Sequence, residues 1–239
     1  RSGNGLYSAG SFAGGYALNG ASIVTKGQGS FAWGVANGTG SYIQAGNDYV
    51  LPNSLPSFAW GWAYNGGYMG ADEAGSITMG WAVGKEGTDK SYLYTGQPYG
   101  VVIGTAINGG HLYSYGHGST VFGWAKGENT TVGANDYGAF AFGYAYQGGT
   151  VESTETGSVA MGNAQGVGAN LTAGGIGSVA FGSVRGAAIN SSSIGKGSGV
   201  FGYTTAVNIR AEADNSFQFG PGTNAEALSL AVGADIRLN

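Results

Sequence analysis

Fifteen tyrosines and five tryptophans, against two histidines and no cysteine, set the chemistry open to this 239-residue chain. Fourteen of those tyrosines and all five tryptophans fall within residues 1–146. Phenol and indole rings stack on flat ligands, close hydrophobic seams and offer one polar edge for a hydrogen bond. Ten of them make the candidate ligand-binding set: Tyr49, Trp62, Trp81, Tyr92, Tyr94, Tyr99, Tyr113, Tyr115, Trp124 and Tyr144. Several lie in two insertions, residues 46–56 and 89–99, which hold three of the four prolines. Tyrosine mixed with Asn, Ser and Gly is the chemistry of adaptable recognition loops. Trp62, Trp81, Trp124 and Tyr144 each follow a recurring glycine. That position reads either as a corner residue capping the core or as an exposed aromatic ladder on which sugar rings stack.

Other chemistries find little support. Residues 197–202 spell G-x-G-x-x-G, but the run is a copy of the internal repeat and opens no helix, so a dinucleotide site is not expected. His111 and His117 stand six apart with no neighbouring carboxylate, a poor zinc set. Aspartates do not recur as calcium solenoids require. Glu152 with Glu155, or Glu212 with Asp214, could come within glycosidase reach of each other, yet they read as solvated corner charges. No cofactor, metal or enzymatic activity is expected. Nine basic and thirteen acidic residues give a net charge of −4 and no nucleic-acid footprint. No run approaches the roughly 18 apolar residues of a membrane span, so membrane insertion is not expected.

The elements that must position the aromatics are repeats. A five-residue phrase (Ser, bulky, small, bulky, Gly) recurs twelve times, as in Ser30-Phe31-Ala32-Trp33-Gly34 and Ser178-Val179-Ala180-Phe181-Gly182. The closing glycines are separated by 19, 27, 19, 24, 19, 20, 19, 20, 20, 18 and 13 residues. Period-two alternation inside the phrase is a strand signature. Glycine makes up 50 of the 239 residues, too many for helix. A second, weaker strand lies between phrases, as at Thr130-Thr131-Val132 and Val207-Asn208-Ile209. The sequence therefore predicts an all-β parallel solenoid, or β-roll, with about twelve coils of 19–20 residues in a single domain, residues 1–239. The closing glycines are expected at corners.

Alternation sorts the phrase into two faces. The bulky slots are expected to form the core, and the Ser-Ala-Gly slots to form an outer wall. Charged residues are only 9% of the chain, too few to cover a solvated rod. The small uncharged wall is then expected to pack against other copies of the chain, giving a homotrimer.

The Ser-Val-Ala-Met-Gly and Ser-Val-Ala-Phe-Gly phrases resemble the head repeats of trimeric autotransporter adhesins, which are parallel β-rolls assembled as trimers. Those heads have a shorter period than the 19–20 residues here, and their stalk and membrane anchor are not in this chain. Residues 215–224 and Ser229-Leu230-Ala231-Val232-Gly233 resemble the β-roll segments of bacteriophage tail and head fibres. This resemblance implies a homotrimeric virion fibre, extracellular and on the particle surface. It would join other fibre or baseplate proteins and present aromatic loops to a host-surface glycan or protein. The alternative is a bacterial adhesin head. An ice- or surface-binding solenoid ranks lower, because the ladders are Ser and Ala rather than Thr.

Overall fold

The computed structural model describes residues 3–6, 10–46, 55–85, 90–224 and 230–232. Within them the chain is a parallel β-solenoid with no helix. Twenty-four strands form two sheets of twelve, one from the odd-numbered strands and one from the even-numbered strands. The odd strands are short, typically four residues, such as Ser22–Thr25 and Tyr92–Thr95. Ten even strands run to six or seven residues, such as Phe31–Asn37 and Val159–Gln165, and the last two have three each. Every pairing is parallel and in register, so equivalent slots stack into columns along the rod. At a strand spacing of about 4.8 Å the rod is about 55 Å long.

The two sheets contribute unequally to the core. Most short strands bury one large aliphatic, whereas Asn190–Ser193 places Ser191 in that slot. Register aligns Ile23, Ile43, Met69, Leu93, Leu112, Val132, Val151 and Leu171 in one column, all fully buried. Facing it, most long strands turn in three small residues: the Ala or Val of the phrase, the closing glycine, and a second alanine, with Thr78, Val184 and Thr204 as substitutes. Ala160, Gly162 and Ala164 are one such set. The glycine is there because nothing else fits. A Cβ on Gly162 would stand 1.7 Å from the carbonyl oxygen of Gly182 and 2.8 Å from Leu171 Cδ2, at a φ of 148° that disfavours any side chain.

This arrangement reverses the expected faces. The bulky slots point outward: Trp33, Trp60, Phe142 and Phe181 are exposed, whereas Ala32, Ala59, Ala141 and Ala180 are buried within their own coil. Alternation separates two faces without saying which is inside, and the inter-sheet volume decides it. Once the short strands supply Ile, Leu and Met, the facing slots admit Gly, Ala and the occasional Val or Thr, as at Val102 and Thr78, but no aromatic ring. The closing glycine is not a corner either. The strand continues for three residues beyond it, as in Phe140–Tyr146 around Gly143. Of the weaker strands, Thr130–Ala134 forms in full, while Val207 and Asn208 precede the strand Ile209–Ala211.

Corners are made by the phrase serine and the turn before it. Ser158 Oγ donates to the Glu155 carbonyl at 2.5 Å and Ser198 Oγ to the Gly195 carbonyl at 2.6 Å, closing the turn that feeds the long strand. Adjacent serines join across the corner, as Ser153 with Ser158 at 2.6 Å and Ser193 with Ser198 at 2.7 Å. These bonds satisfy hydroxyls that would otherwise be buried unpaired.

Gly162→Val should cost more than about 4 kcal/mol, through overpacking and a strained backbone. Ala160→Glu should do the same by burying an unpaired charge. Both are expected to lower the melting temperature followed by circular dichroism. A normal melt for Ala160→Glu would return that slot to the outside.

Candidate functional site

The short-strand sheet presents its first and third residues outward. Register aligns the first residues as Tyr42, Tyr68, Tyr92 and His111, one per coil. The third slot carries Gly70, Tyr94, Tyr113 and Gly133 in successive coils. The glycines make room for the rings. A Cβ on Gly70 would meet the Tyr68 ring at 2.5 Å, and one on Gly133 would meet the Tyr113 ring at 2.6 Å. Tyr115 follows the strand and lies 4.7 Å from Tyr113 and 5.7 Å from Tyr94, centroid to centroid. Tyr68 stands 5.8 Å from Tyr92, which meets His111 edge-on at 5.0 Å.

Together Tyr68, Tyr92, His111, Tyr94, Tyr113 and Tyr115 line a surface trough of ≈510 Å³, with Asp72 also in its wall. Because each column follows the coil stack, the trough runs along the rod. Its polar groups are phenol hydroxyls, the His111 imidazole and the Asp72 carboxylate, with amides and Glu152 bonded beside them. Asp72 Oδ1 accepts from Gln44 Nε2 at 2.7 Å, and both its oxygens lie 3.4 Å from the Tyr68 hydroxyl. Further along, Tyr113 OH donates to Glu152 Oε1 at 2.5 Å, and Asn135 Nδ2 donates to the same oxygen at 2.7 Å.

Burial among rings pushes the Asp72 carboxyl up to about 6, and hydrogen bonds from Gln44, Tyr94 and Tyr68, with the charge of Lys26, hold it from going higher. Burial and then the Asp72 charge push the Tyr94 phenol up to about 12. Tyr68 and Tyr113 are raised in the same sense, by burial first and then by Asp72 and Glu152 respectively. Burial lowers His111, which leaves it neutral at pH 7. A carboxylate kept in a place that disfavours its charge is a feature of binding and catalytic sites.

Of the ten sequence candidates, Tyr92, Tyr94, Tyr113 and Tyr115 come together here. They lie on or directly after regular strands, Tyr92–Thr95 and Gly110–Ser114, rather than in an inserted loop. Trp62, Trp81, Trp124 and Tyr144 lie on the other sheet, facing outward in mid-strand rather than capping a corner. Tyr99 occupies a turn with φ 60°, where equivalent turns place Gly75 and Gly118. A left-handed tyrosine costs about 1 kcal/mol, and its ring covers Gly75. Tyr49 lies outside the described residues. Tyr68 and the joint position of Asp72 and His111 escaped the sequence reading. The signal for them was the coil register itself, which puts Tyr42, Tyr68, Tyr92 and His111 in one slot.

Among the described residues no cluster of three or more His, Asp and Glu could hold a metal ion. Among these residues no helix is long and apolar enough to cross a membrane. No family model, curated protein or solved structure matches the chain. Its class is therefore defined by its own fold and surface: a parallel β-solenoid with an aromatic trough along one sheet.

Because its folded pKa is raised, Asp72 detracts from stability once it ionises. Its contribution is favourable below about pH 4, the unfolded value, and is lost as pH rises through about 6. Asp72→Asn should therefore be more stable than the parent at pH 7.5, by up to about 3 kcal/mol, with the advantage vanishing near pH 4. Paired denaturant melts at the two pH values measure this.

Proposed function

We propose that the chain is one protomer of a homotrimeric adhesive fibre of a virion. The long-strand sheets would meet around the fibre axis, and the short-strand sheets would face outward with the tyrosine trough. The supporting observation is the outer face of the long-strand sheet. Its first column reads Phe12, Phe31, Phe58, Ile77, Val101, Thr120, Phe140, Val159 and Val179. Its third column reads Trp33, Trp60, Met79, Ile103, Phe122, Phe142, Met161, Phe181, Phe201 and Phe219. Neither column holds a charge, and Trp33, Trp60, Phe142, Phe181 and Phe219 are exposed.

An apolar strip running the length of a rod is far larger than the patches of a soluble monomer and calls for a partner surface. Charge appears only at the far edge of the same sheet, at Lys126 and Arg185. The opposite sheet beyond the trough shows Thr150, Glu152, Asn170, Thr172, Asn190 and Ser192, a surface suited to water. A second copy of the chain supplies a strip of the same length and the same spacing. Three copies about an axis parallel to the rod bury all three strips and leave three troughs outside. Attachment would then be multivalent, with three weak sites on one rigid body. The virion placement rests on the resemblance of residues 215–224 and 229–233 to phage fibre segments.

Native mass by light scattering tests this. The expected value is three times the 23.9 kDa of one chain. Trp60→Glu with Phe142→Glu should reduce it to one copy while the β-sheet circular dichroism is kept. A parent chain that runs as a monomer would sink the fibre reading.

A further inference from the structure

We propose that the tyrosine trough holds a neutral glycan chain laid parallel to the rod, with sugar faces on the rings and sugar hydroxyls donating to Asp72 and Glu152. The proposal rests on the reading of the short-strand sheet as the outward, ligand-presenting face, and it names the ligand class of that surface.

Direction comes from the register. The rings stand in columns along the coil stack, so their gap is a channel parallel to the rod. A peptide strand binding a sheet edge would lie across that direction. Coils repeat at about 4.8 Å, close to the repeat of an extended pyranose chain, so successive sugars meet successive coils. Asp72 and Glu152 belong to coils four apart, by way of the Tyr92, His111 and Thr131 coils. That spans about 19 Å, or about four sugars, with the ring lining covering the three coils from Tyr68 to His111 and Glu152 lying beyond it.

Class comes from charge and hydrogen bonding. Among the residues lining the trough, Asp72 carries the only full charge at neutral pH, and His111 is neutral there. Glu152 adds a second carboxylate at the far end through Tyr113. Uronate, sialate or sulfate groups would meet these carboxylates in a lining that holds no cation, Lys26 acting on Asp72 from outside it. Hydroxyls suit the carboxylates, since a hydroxyl donates to a carboxylate. Flat, half-buried rings fit a ligand that is apolar on its faces and polar at its rim.

The test uses the full chain in a calorimetric panel of tetrasaccharides. Gluco-, manno-, galacto- and N-acetylglucosamine tetramers are set against galacturonate and sialylated tetramers. At least one neutral tetramer should bind, more tightly than its dimer. Tyr94→Ala with Tyr113→Ala should weaken it about tenfold or more, and the Tyr94→Phe, Tyr113→Phe pair should recover most of that loss by restoring the rings. Circular dichroism and native mass report whether each variant still folds and assembles. Three outcomes would overturn the proposal: preference for an acidic tetramer, no binding by any neutral one (the result expected if the trough takes a protein), or neutral binding indifferent to the ring variants. Each can occur with the trimer intact, whereas a monomeric parent chain overturns the fibre reading separately.

Discussion

The distance between the two sheets governs this structure. A column of Ile, Leu, Met and Val on the short strands fills the space between them. The long strands must then bring mostly glycine and alanine to the interface, and closing glycines such as Gly34, Gly80, Gly104 and Gly162 let backbone and aliphatic tip meet. Part of the chain's glycine content follows from this, as does the outward position of the phrase phenylalanines and tryptophans; the rest of the glycine sits largely in turns such as those at Gly75 and Gly118. With only small residues admitted on one side, the large aromatics of the long strands have no interior to enter. A solenoid this thin resembles a two-layer laminate, and its outer faces carry the chemistry.

Much of that was legible in the sequence. The twelvefold phrase and its period gave parallel coils with two strands each, and the register of Phe31, Phe58 and Ile77 follows directly from the phrase alignment. What the phrase could not convey was which face lies inside. Trp33 and Ala32 alternate equally well either way, and the volume that decides between them is set by Ile43 on a strand in the other sheet. Segments between phrases matter most for the core, yet they are short and variable, and their pattern is weak. The same weakness concealed half of the trough. Tyr92 and Tyr94 were visible as part of a tyrosine-rich stretch, but Tyr68 joins them only through a pairing 24 residues away.

The two outer faces differ in a way that suits different partners. The long-strand face is continuous and apolar for most of its length, which suits another surface of equal length. The short-strand face is aromatic only over a few coils and otherwise carries Thr, Asn and Ser, with an Asn170 to Asn190 bond of 2.8 Å continuing the stack. Asp72 marks where the aromatic section departs from a purely structural optimum, since its carboxyl is held in surroundings that disfavour ionisation.

In-register pairing also sets how such a rod responds to mechanical load. Its inter-coil hydrogen bonds point along the rod, so tension between the two ends pulls directly on them, and every junction bears the same force. Strength is then set by the weakest junction rather than by the sum. Long strands pair over seven residues between Val101–Ile107 and Thr120–Lys126, but over only three between Gly199–Phe201 and Phe217–Phe219. A pulled rod should therefore begin to unravel from its C-terminal coils, leaving the tyrosine-bearing coils folded and still attached to whatever they hold.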